Sequence, residues 1–283
     1  MRFEDAIDRV VGALSTGDGL VVRQVSDELL RGYRGERLVR AEAARAVFVG
    51  DLHGDLDSLL AVYRRYFRGP DLLVFLGDYV DRGPFQLEVL VGVLLMHRWD
   101  PRRVVTLRGN HESVSMNRYY GFLSHLRRRL GGAWRPVYEL LAIRAYRAMP
   151  VAALVDLGYR VFAVHGGIPI DAPSLDQIER LPAQEEPRDP VLVELLWNDP
   201  GDCEYYAPSL RGVGAVFGRR VVERFMRRNG VDLVVRAHEP VNGVGVSLGG
   251  RVVTVFTCRY YGIRPAVLEL ERGEKPRLRV VYL

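Results

Sequence analysis

The stretch Gly77-Asp78-Tyr79-Val80-Asp81-Arg82-Gly83 puts two carboxylates and a guanidinium within five positions, directly after the apolar run Leu72-Leu73-Val74-Phe75-Leu76. A short apolar run of this kind reads as a buried strand. Charges at its end are costly unless they are paired or bound to metal. Glycines on either side let the backbone turn sharply and approach a ligand. Other stretches look like its partners: Gly50-Asp51-Leu52-His53-Gly54, Gly109-Asn110-His111-Glu112, His165-Gly166-Gly167, Arg211-Gly212 and Arg236-Ala237-His238. Asp51 and His53 stand two apart, so at the end of an extended strand they project to one side. With Asp78, Asn110, His165 and His238 they offer oxygen and nitrogen ligands without thiolate. Such a set suits manganese, iron or zinc better than calcium or magnesium. It is too large for one closed tetrahedral site. With one bridging carboxylate it fits two cations, the arrangement used for in-line displacement at phosphorus. Asp78, on the central stretch, is the expected bridge. His97 and His125 sit in helical stretches without such loop motifs and read as ordinary structural histidines.

These residues need elements to carry them. Ala46–Val49, Leu72–Leu76 and Arg103–Leu107 read as strands that deliver Asp51 and His53, then Asp78, then Asn110 and His111. Helices are expected over 3–14, 20–31, 87–96, 117–130, 135–148 and 221–228. A further helix follows Asp57, read as its cap, with Leu59, Leu60, Val62, Tyr63 and Tyr66 on its apolar face. Strand, polar loop and helix repeat three times, which argues for the α/β class with functional residues at strand carboxyl ends. Residues 152–156 and 160–164 read as a hairpin whose second strand delivers His165. Residues 182–190 and 200–212 read as loops, the second ending at Arg211. Short strands follow at 232–236, 243–248, 251–256 and 265–271, the middle two joined at Gly249-Gly250. So many strands in the second half suggest two sheets packed face to face, a central β-sandwich flanked by helices. With no repeat, linker or low-complexity tract, residues 1–283 read as a single catalytic domain, with 1–45 as N-terminal helices packed on it.

The 283 residues are 48% hydrophobic, enough for a full core, and the formal net charge is +5. Lys275 is the only lysine, so nearly all the positive charge is arginine. Arginine suits bidentate contact with phosphate, although the coding bias of a GC-rich genome is the better account of most of these residues. No dense basic tract or aromatic–basic repeat points to nucleic acid, and no run of about eighteen apolar residues points to a membrane span. Cys203 and Cys258 have no metal-type spacing and read as free thiols on loops bordering one cleft. The acidic N-terminus lacks the apolar core of a signal peptide, so a cytoplasmic location is expected.

With these residues in hand the chain resembles the phosphoprotein phosphatase family, the metal-dependent serine/threonine phosphatases that include the type-one and type-two-A enzymes and calcineurin. The likeness runs from about Ala46 to about Leu270. It includes Asn117-Arg118-Tyr119-Tyr120-Gly121-Phe122, Leu196-Trp197-Asn198-Asp199-Pro200 and Arg211-Gly212-Val213 beside the metal motifs. The resemblance implies a calcineurin-like metallophosphoesterase architecture and two divalent cations, manganese first, with iron or zinc as alternatives. It implies one cation on Asp51, His53 and Asp78, and a second on Asp78, Asn110, His165 and His238. A bridging water or hydroxide would attack phosphorus. Arg82 and Arg211 would clamp the phosphoryl oxygens, with Asn110 and Tyr261 also contacting substrate. His111 would protonate the leaving alkoxide and Asp81 would hold its ring. Asp199 would support the site from behind. Substrates would be phosphoserine and phosphothreonine proteins or peptides, with phosphotyrosine as a further class. Where the family has Ser-Ala-Pro-Asn-Tyr this chain has Thr257-Cys258-Arg259-Tyr260-Tyr261. Arg259 therefore brings a positive charge to the rim, either open to acidic substrates or paired with an acid such as Glu239. Compact length and arginine bias resemble a prokaryotic or archaeal member; regulatory subunits are not legible. The alternative is a nucleotide phosphoesterase of the dinucleoside tetraphosphate hydrolase type. Asp81 before Arg82 favours the protein phosphatase, because the nucleotide enzymes typically lack that acid. A non-catalytic module on the same scaffold is disfavoured by the intact ligand set and His111.

Overall fold

The computed structural model describes residues 2–283. Its strands, in chain order, are β1 (Leu38–Glu42), β2 (Arg45–Val49), β3 (Leu72–Phe75), β4 (Val104–Thr106), β5 (Ala152–Asp156), β6 (Arg160–Val164), β7 (Asp199–Pro200), β8 (Tyr206–Pro208), β9 (Ala215–Phe217), β10 (Leu233–Arg236), β11 (Val244–Ser247), β12 (Val252–Val255), β13 (Ala266–Glu271) and β14 (Arg279–Tyr282). One sheet has the order β1-β5-β6-β10-β12-β11, a second β14-β13-β2-β3-β4, and β7-β9-β8 form a small third sheet.

Side-chain alternation explains why the two large sheets stack. In β2, Ala46 and Phe48 join the cluster between the sheets, packing with Ala153, Val155, Val235 and Val253 of the six-stranded sheet. Val47 and Val49 face the other way, onto Phe3, Ile7 and the helix Gln86–Trp99. The outer face of the six-stranded sheet, with Leu154, Phe162 and Val234, is covered by Leu195, Val222 and Phe225 from the helices Pro190–Trp197 and Arg219–Asn229. Both large sheets are thus apolar on both faces, and central strands such as β2, β3 and β4 are nearly continuous apolar runs, as expected for parallel strands covered on both sides. The result is a mixed α/β fold, a two-sheet sandwich flanked by helices. Among the described residues no helix is long and apolar enough to cross a membrane.

β2, β3 and β4 run parallel, as do β6 and β10. Their carboxyl ends therefore carry Asp51, Asp78, Asn110, His165 and His238 respectively. The N-terminal helices form at Phe3–Leu14 and Gly19–Leu29, the second capped by Asp18, which accepts from Leu20 N and Val21 N.

Several local expectations need correction. Asp57 does not cap the third helix. Asp55 does, accepting from Ser58 N at 3.1 Å, because only a side chain at the non-helical position reaches back to that donor. The expected helix 117–130 is two helices, Val114–Tyr120 and Phe122–Leu130, divided at Gly121 with φ 118°. The loop 200–212 is ordered by β7, β8 and β9, and Arg211 lies on the connection between β8 and β9. The hairpin of β11 and β12 turns through 248–251, longer than the two-residue turn expected. Residues 1–45 are not helices alone: Leu38–Glu42 forms β1, which pairs in parallel with β5 at the sheet edge, while β14 and the helix Pro190–Trp197 have no counterpart among the expected elements.

Candidate active site

Asp78 sits at the middle. Its Oδ2 lies 3.5 Å from His53 Nε2 and 3.4 Å from His165 Nε2, and its Oδ1 accepts from His111 N at 2.9 Å. Two groups capable of holding a cation share it: His53, Asp78 and His111 on one side, and Asp78, His165 and His238 on the other. Asp51 joins the first side, with Oδ2 3.6 Å from His53 Nε2, while its Oδ1 accepts from His238 N at 2.9 Å. All six expected ligands are therefore brought to one place, and all are buried. The imidazoles are aimed by carbonyls: His53 Nδ1 donates to Val80 O at 2.8 Å and His165 Nδ1 to Leu76 O at 3.0 Å, which turns each Nε2 inward.

The donor set fits a pair of cations on a direct observation. The Asn110 amide oxygen points at His165 Nε2, 2.8 Å away, and faces only acceptors, namely Asp78 Oδ1 and Oδ2, His165 and His238 Nδ1. Lone pairs converge there unless the amide turns round or His165 carries a second proton, and a cation resolves the same conflict with the oxygen in place. The electrostatics agree. Burial alone lowers the His53 pKa, but Asp51 and Asp78 outweigh it and raise it to about 9. His165 is likewise raised by Asp78 against burial. His238 is pushed down, first by burial and then by His165, Arg236 and Arg211. Asp78 is held well below the usual carboxylate range by His165, His111 and His53 despite its burial. Two metals bound to these nitrogens would take over the role of the protons.

The backbone is bent to achieve this. His53, Asp78, Asp81, Arg82 and His238 all have positive φ, between 43° and 74°. Strained conformations of this kind persist only where surrounding contacts enforce them, and they gather at functional sites. Glu112 is the enforcer, a residue quoted in its motif but given no role by sequence reasoning. Its carboxylate accepts from Asp78 N, Tyr79 N and Gly109 N at 2.8–2.9 Å, binding the second loop to the third. Burial and then Asp78 push its pKa up to about 7, against those three donors. Gly109 is obligatory, since a Cβ there would lie 2.2 Å from Asp78 Oδ1.

His111 stands beside this centre with Nε2 4.0 Å from Asp78 Oδ2. Its Nδ1 donates to Asp81 Oδ2 at 2.8 Å. Asp81 is in turn fixed by Asn117 Nδ2 at 3.2 Å and by Phe122 N at 2.8 Å. The Phe122 N–H is available because Gly121 interrupts the helix. Asn117, another residue given no role from sequence, accepts from Tyr138 Oη and Tyr146 Oη on a neighbouring helical stretch. Arg82 is exposed and lies over the Tyr120 ring, 4.1 Å from its centroid. Arg211 is exposed too, and its Nε donates to Asp199 Oδ2 at 2.7 Å, while buried Arg236 donates to Asp199 Oδ1 at 2.7 Å. Asp199 thus stands behind Arg211. Tyr261 lies 5.7 Å from His53, ring centre to ring centre, and near enough to Arg82 to feel its charge.

Arg259 is not open to substrate. It pairs with Asp55 and Asp57, and Glu239, the acid named from sequence, is taken by Arg236. The loop 182–190 is also less free than expected, because fully buried Arg108 donates to Gln184 O, to Glu185 O at 2.8 Å and to Glu112 O at 3.0 Å. Arg108→Met strands three carbonyls, each costing about 1–3 kcal/mol, so it is expected to lower the thermal midpoint by well over 5 °C. Unfolding followed by circular dichroism checks this; an unchanged midpoint would show that the contacts are dispensable. Cys203 and Cys258 are free, half-buried and buried respectively, and burial pushes the Cys258 thiol up to about 12. Thiol titration is expected to find Cys203 reactive in the folded protein and Cys258 only after unfolding, with or without prior mild oxidation. Loss of both thiols on oxidation would contradict this.

Two helix-flanked sheets whose strand ends gather carboxylates and imidazoles around one shared aspartate define a metal-dependent phosphoesterase. Residues 44–242 match the family model of the calcineurin-like phosphoesterases, and the chain belongs to that family. The serine/threonine-protein phosphatase 6 catalytic subunit of Drosophila melanogaster is 35% identical over 243 residues, covering 82% of this chain and 77% of that one. The phosphatase 4 catalytic subunit of Saccharomyces cerevisiae is 31% identical over 281 residues, covering 94% and 88%. A probable serine/threonine-protein phosphatase of Encephalitozoon cuniculi is 35% identical over 229 residues, but the match covers only 50% of that protein. Among solved structures, a serine/threonine phosphatase from Saccharomyces cerevisiae similar to human phosphatase PP5 superposes with a TM-score of 0.81 at 27% identity, covering 94% of this chain and 88% of that one. A cold-active protein tyrosine phosphatase shares the fold, with a TM-score of 0.65 at 19% identity and coverage of 91% and 83%.

Proposed function

We propose that this chain is a metal-dependent protein phosphatase that hydrolyses phosphoserine and phosphothreonine monoesters, working as one domain with two divalent cations, manganese first. The observation that carries it is the Asp81–His111 hydrogen bond, 2.8 Å long, set beside a centre that shares Asp78. Asp51, His53 and Asp78 would hold one cation, and Asp78, Asn110, His165 and His238 the other. When bound, such a pair neutralises phosphoryl charge and acidifies water. Arg82 and Arg211 bind the non-bridging oxygens, each presenting a planar fork of donors. Asp199 aims Arg211, and Asn110 and Tyr261 border the substrate. His111 carries a proton on Nε2 and gives it to the departing serine or threonine oxygen as the P–O bond breaks. Asp81, accepting from Nδ1–H, holds the ring in line. His111 regains its proton from solvent.

A cytoplasmic location is part of the proposal, supported by two cysteines that are both free. A prokaryotic or archaeal source rests on compactness and arginine content alone, and the curated relatives named above are eukaryotic. Those relatives are catalytic subunits by name in two cases, which supports phosphoprotein substrates and leaves regulatory subunits for this chain as part of the proposal. The test is manganese-loaded protein assayed in parallel on phosphoserine, phosphothreonine and phosphotyrosine peptides and on a dinucleoside tetraphosphate. Hydrolysis of the serine and threonine peptides with the tetraphosphate left intact is expected. Preferential cleavage of the tetraphosphate would replace this reading with the nucleotide phosphoesterase.

A further inference from the structure

The turn Arg259–Tyr261 at the rim is fastened in one place. Arg259 N and Nε donate to Asp55 Oδ2 at 2.9 and 3.1 Å, and Nη1 donates to Asp57 Oδ2 at 3.0 Å. Asp55 is fully buried and also caps its helix through Ser58 N. It lies two residues after His53, and Arg259 lies two residues before Tyr261. The contact therefore joins two loops 204 residues apart in sequence, both facing the cation centre. Apart from the packing of its two tyrosine rings, the turn has few bonds of its own: it has no side-chain cap, and its closing bond runs from Gly262 N to Arg259 O at 3.2 Å.

What the fastening places is aromatic. Tyr261 lies beside His53 at a tilt of 32°, with ring centres 5.7 Å apart, and meets Phe256 edge-on at 5.0 Å. Tyr260 lies against Gly83, so close that a Cβ on Gly83 would sit 2.9 Å from its Cε2. Gly83 directly follows Arg82. The two carboxylates outweigh the single charge of Arg259, so this part of the rim has no net positive charge with which to select acidic substrates. The Arg259 guanidinium instead spans a buried acid and an exposed one in fixed geometry, which a lysine cannot copy.

We propose that Arg259 is a positioning residue: through Asp55 and Asp57 it holds Tyr261 over His53 and Tyr260 against Gly83, so that the Tyr261 phenol meets the phosphorylated side chain in register. The proposal rests on the phosphatase reading above. Burial keeps that phenol protonated and able to donate, with the Arg82 charge opposing.

The experiment is a double-mutant cycle on the manganese-loaded protein. Arg259→Ala, Tyr261→Phe and the double variant are assayed with a phosphothreonine peptide, with metal content and thermal midpoint measured alongside. Each single variant is expected to lose about tenfold in kcat/KM, and the double variant no more than the worse single, because Arg259 acts through that hydroxyl. Arg259→Lys should recover less than half of the loss on a logarithmic scale. Independent, multiplying losses with metal retained would make Arg259 merely structural and overturn the proposal. Should Arg259→Ala fold poorly, amide exchange over 258–262 in Arg259→Lys decides it. Faster exchange there with the rest of the chain unchanged is expected, and unchanged exchange refutes the fastening. A wild type inactive on the peptide refutes the phosphatase reading, and the exchange experiment still judges the fastening on its own.

Discussion

Asp78→Asn is expected to lose both cations, not one, and with them nearly all hydrolysis. The carboxylate is shared: Oδ2 is 3.5 Å from His53 Nε2 and 3.4 Å from His165 Nε2, so one group serves both halves of the centre. An amide removes a negative charge from each half at once and turns an N–H toward groups that need a cation. Asn is the informative replacement because the backbone there has φ 58°, a conformation Asn tolerates well. The fold should therefore survive, with the Asp78 N to Glu112 Oε2 bond of 2.8 Å intact, since it uses only the backbone. Losing several kcal/mol of charge stabilisation corresponds to a rate loss of about a thousandfold or more. Elemental analysis of the purified variant after dialysis checks the claim. Two metals retained per chain would remove Asp78 from the bridging position, and one retained metal would confine it to a single half.

The centre was legible because its ligands sit in short local motifs at the ends of apolar runs. Asp51 with His53, Asp78 with Asp81 and Arg82, and Asn110 with His111 each occupy a few consecutive positions, and parallel strands bring such ends together whatever lies between. The layered fold was legible for a related reason. Runs such as Ala46–Val49 and Leu72–Leu76 are apolar at every position, as a strand covered on both faces requires, and are too short for a helix. What escaped were features whose partners lie far away in sequence. Arg108 looks like one more arginine until the carbonyls of Gln184 and Glu185 meet it. Asn117 acquires a role only when Gly121 breaks the helix and brings Phe122 N onto Asp81. In sequence Arg259 reads as either an open rim charge or a partner of Glu239, because Asp57 looks only like a helix cap and nothing marks Asp55 as its partner. β14 escaped for want of pattern: in Arg279–Tyr282 only Val281 is buried, so there is no apolar run to see. β7, β8 and β9 are two or three residues each, held by pairing across the Arg211 connection, and no periodicity can be read from so few positions.

His111→Ala is expected to bind metal normally and to slow hydrolysis of alkyl phosphates by about 10²–10⁴-fold, the usual contribution of a general acid. His111 lies with His53 and Asp78, but metal binding should survive its loss because Asp51 completes the ligand set on that side and the His111 N to Asp78 Oδ1 contact of 2.9 Å uses only the backbone. The imidazole's own contacts point to proton transfer. Its Nδ1 is held by Asp81 at 2.8 Å, leaving Nε2 directed toward the centre, 4.0 Å from Asp78 Oδ2. A serine or threonine oxygen leaves as a poor alkoxide and needs that proton; a nitrophenolate hardly needs it. The loss should therefore shrink by an order of magnitude or more on an aryl phosphate. Asp81→Asn should reproduce part of the effect. Asp81 accepts on both oxygens, from His111 and Asn117 on Oδ2 and from Phe122 N on Oδ1. An amide must oppose one of those donors with a donor of its own, so the ring loses its alignment while remaining in place. Because the two residues act as one unit, the double variant should be no slower than His111→Ala alone. The measurement is kcat on a phosphoserine peptide and on an aryl phosphate, for wild type and all three variants, with metal content determined on the same samples. Equal losses on both substrates would remove His111 from the acid role, and multiplying losses in the double variant would detach Asp81 from it.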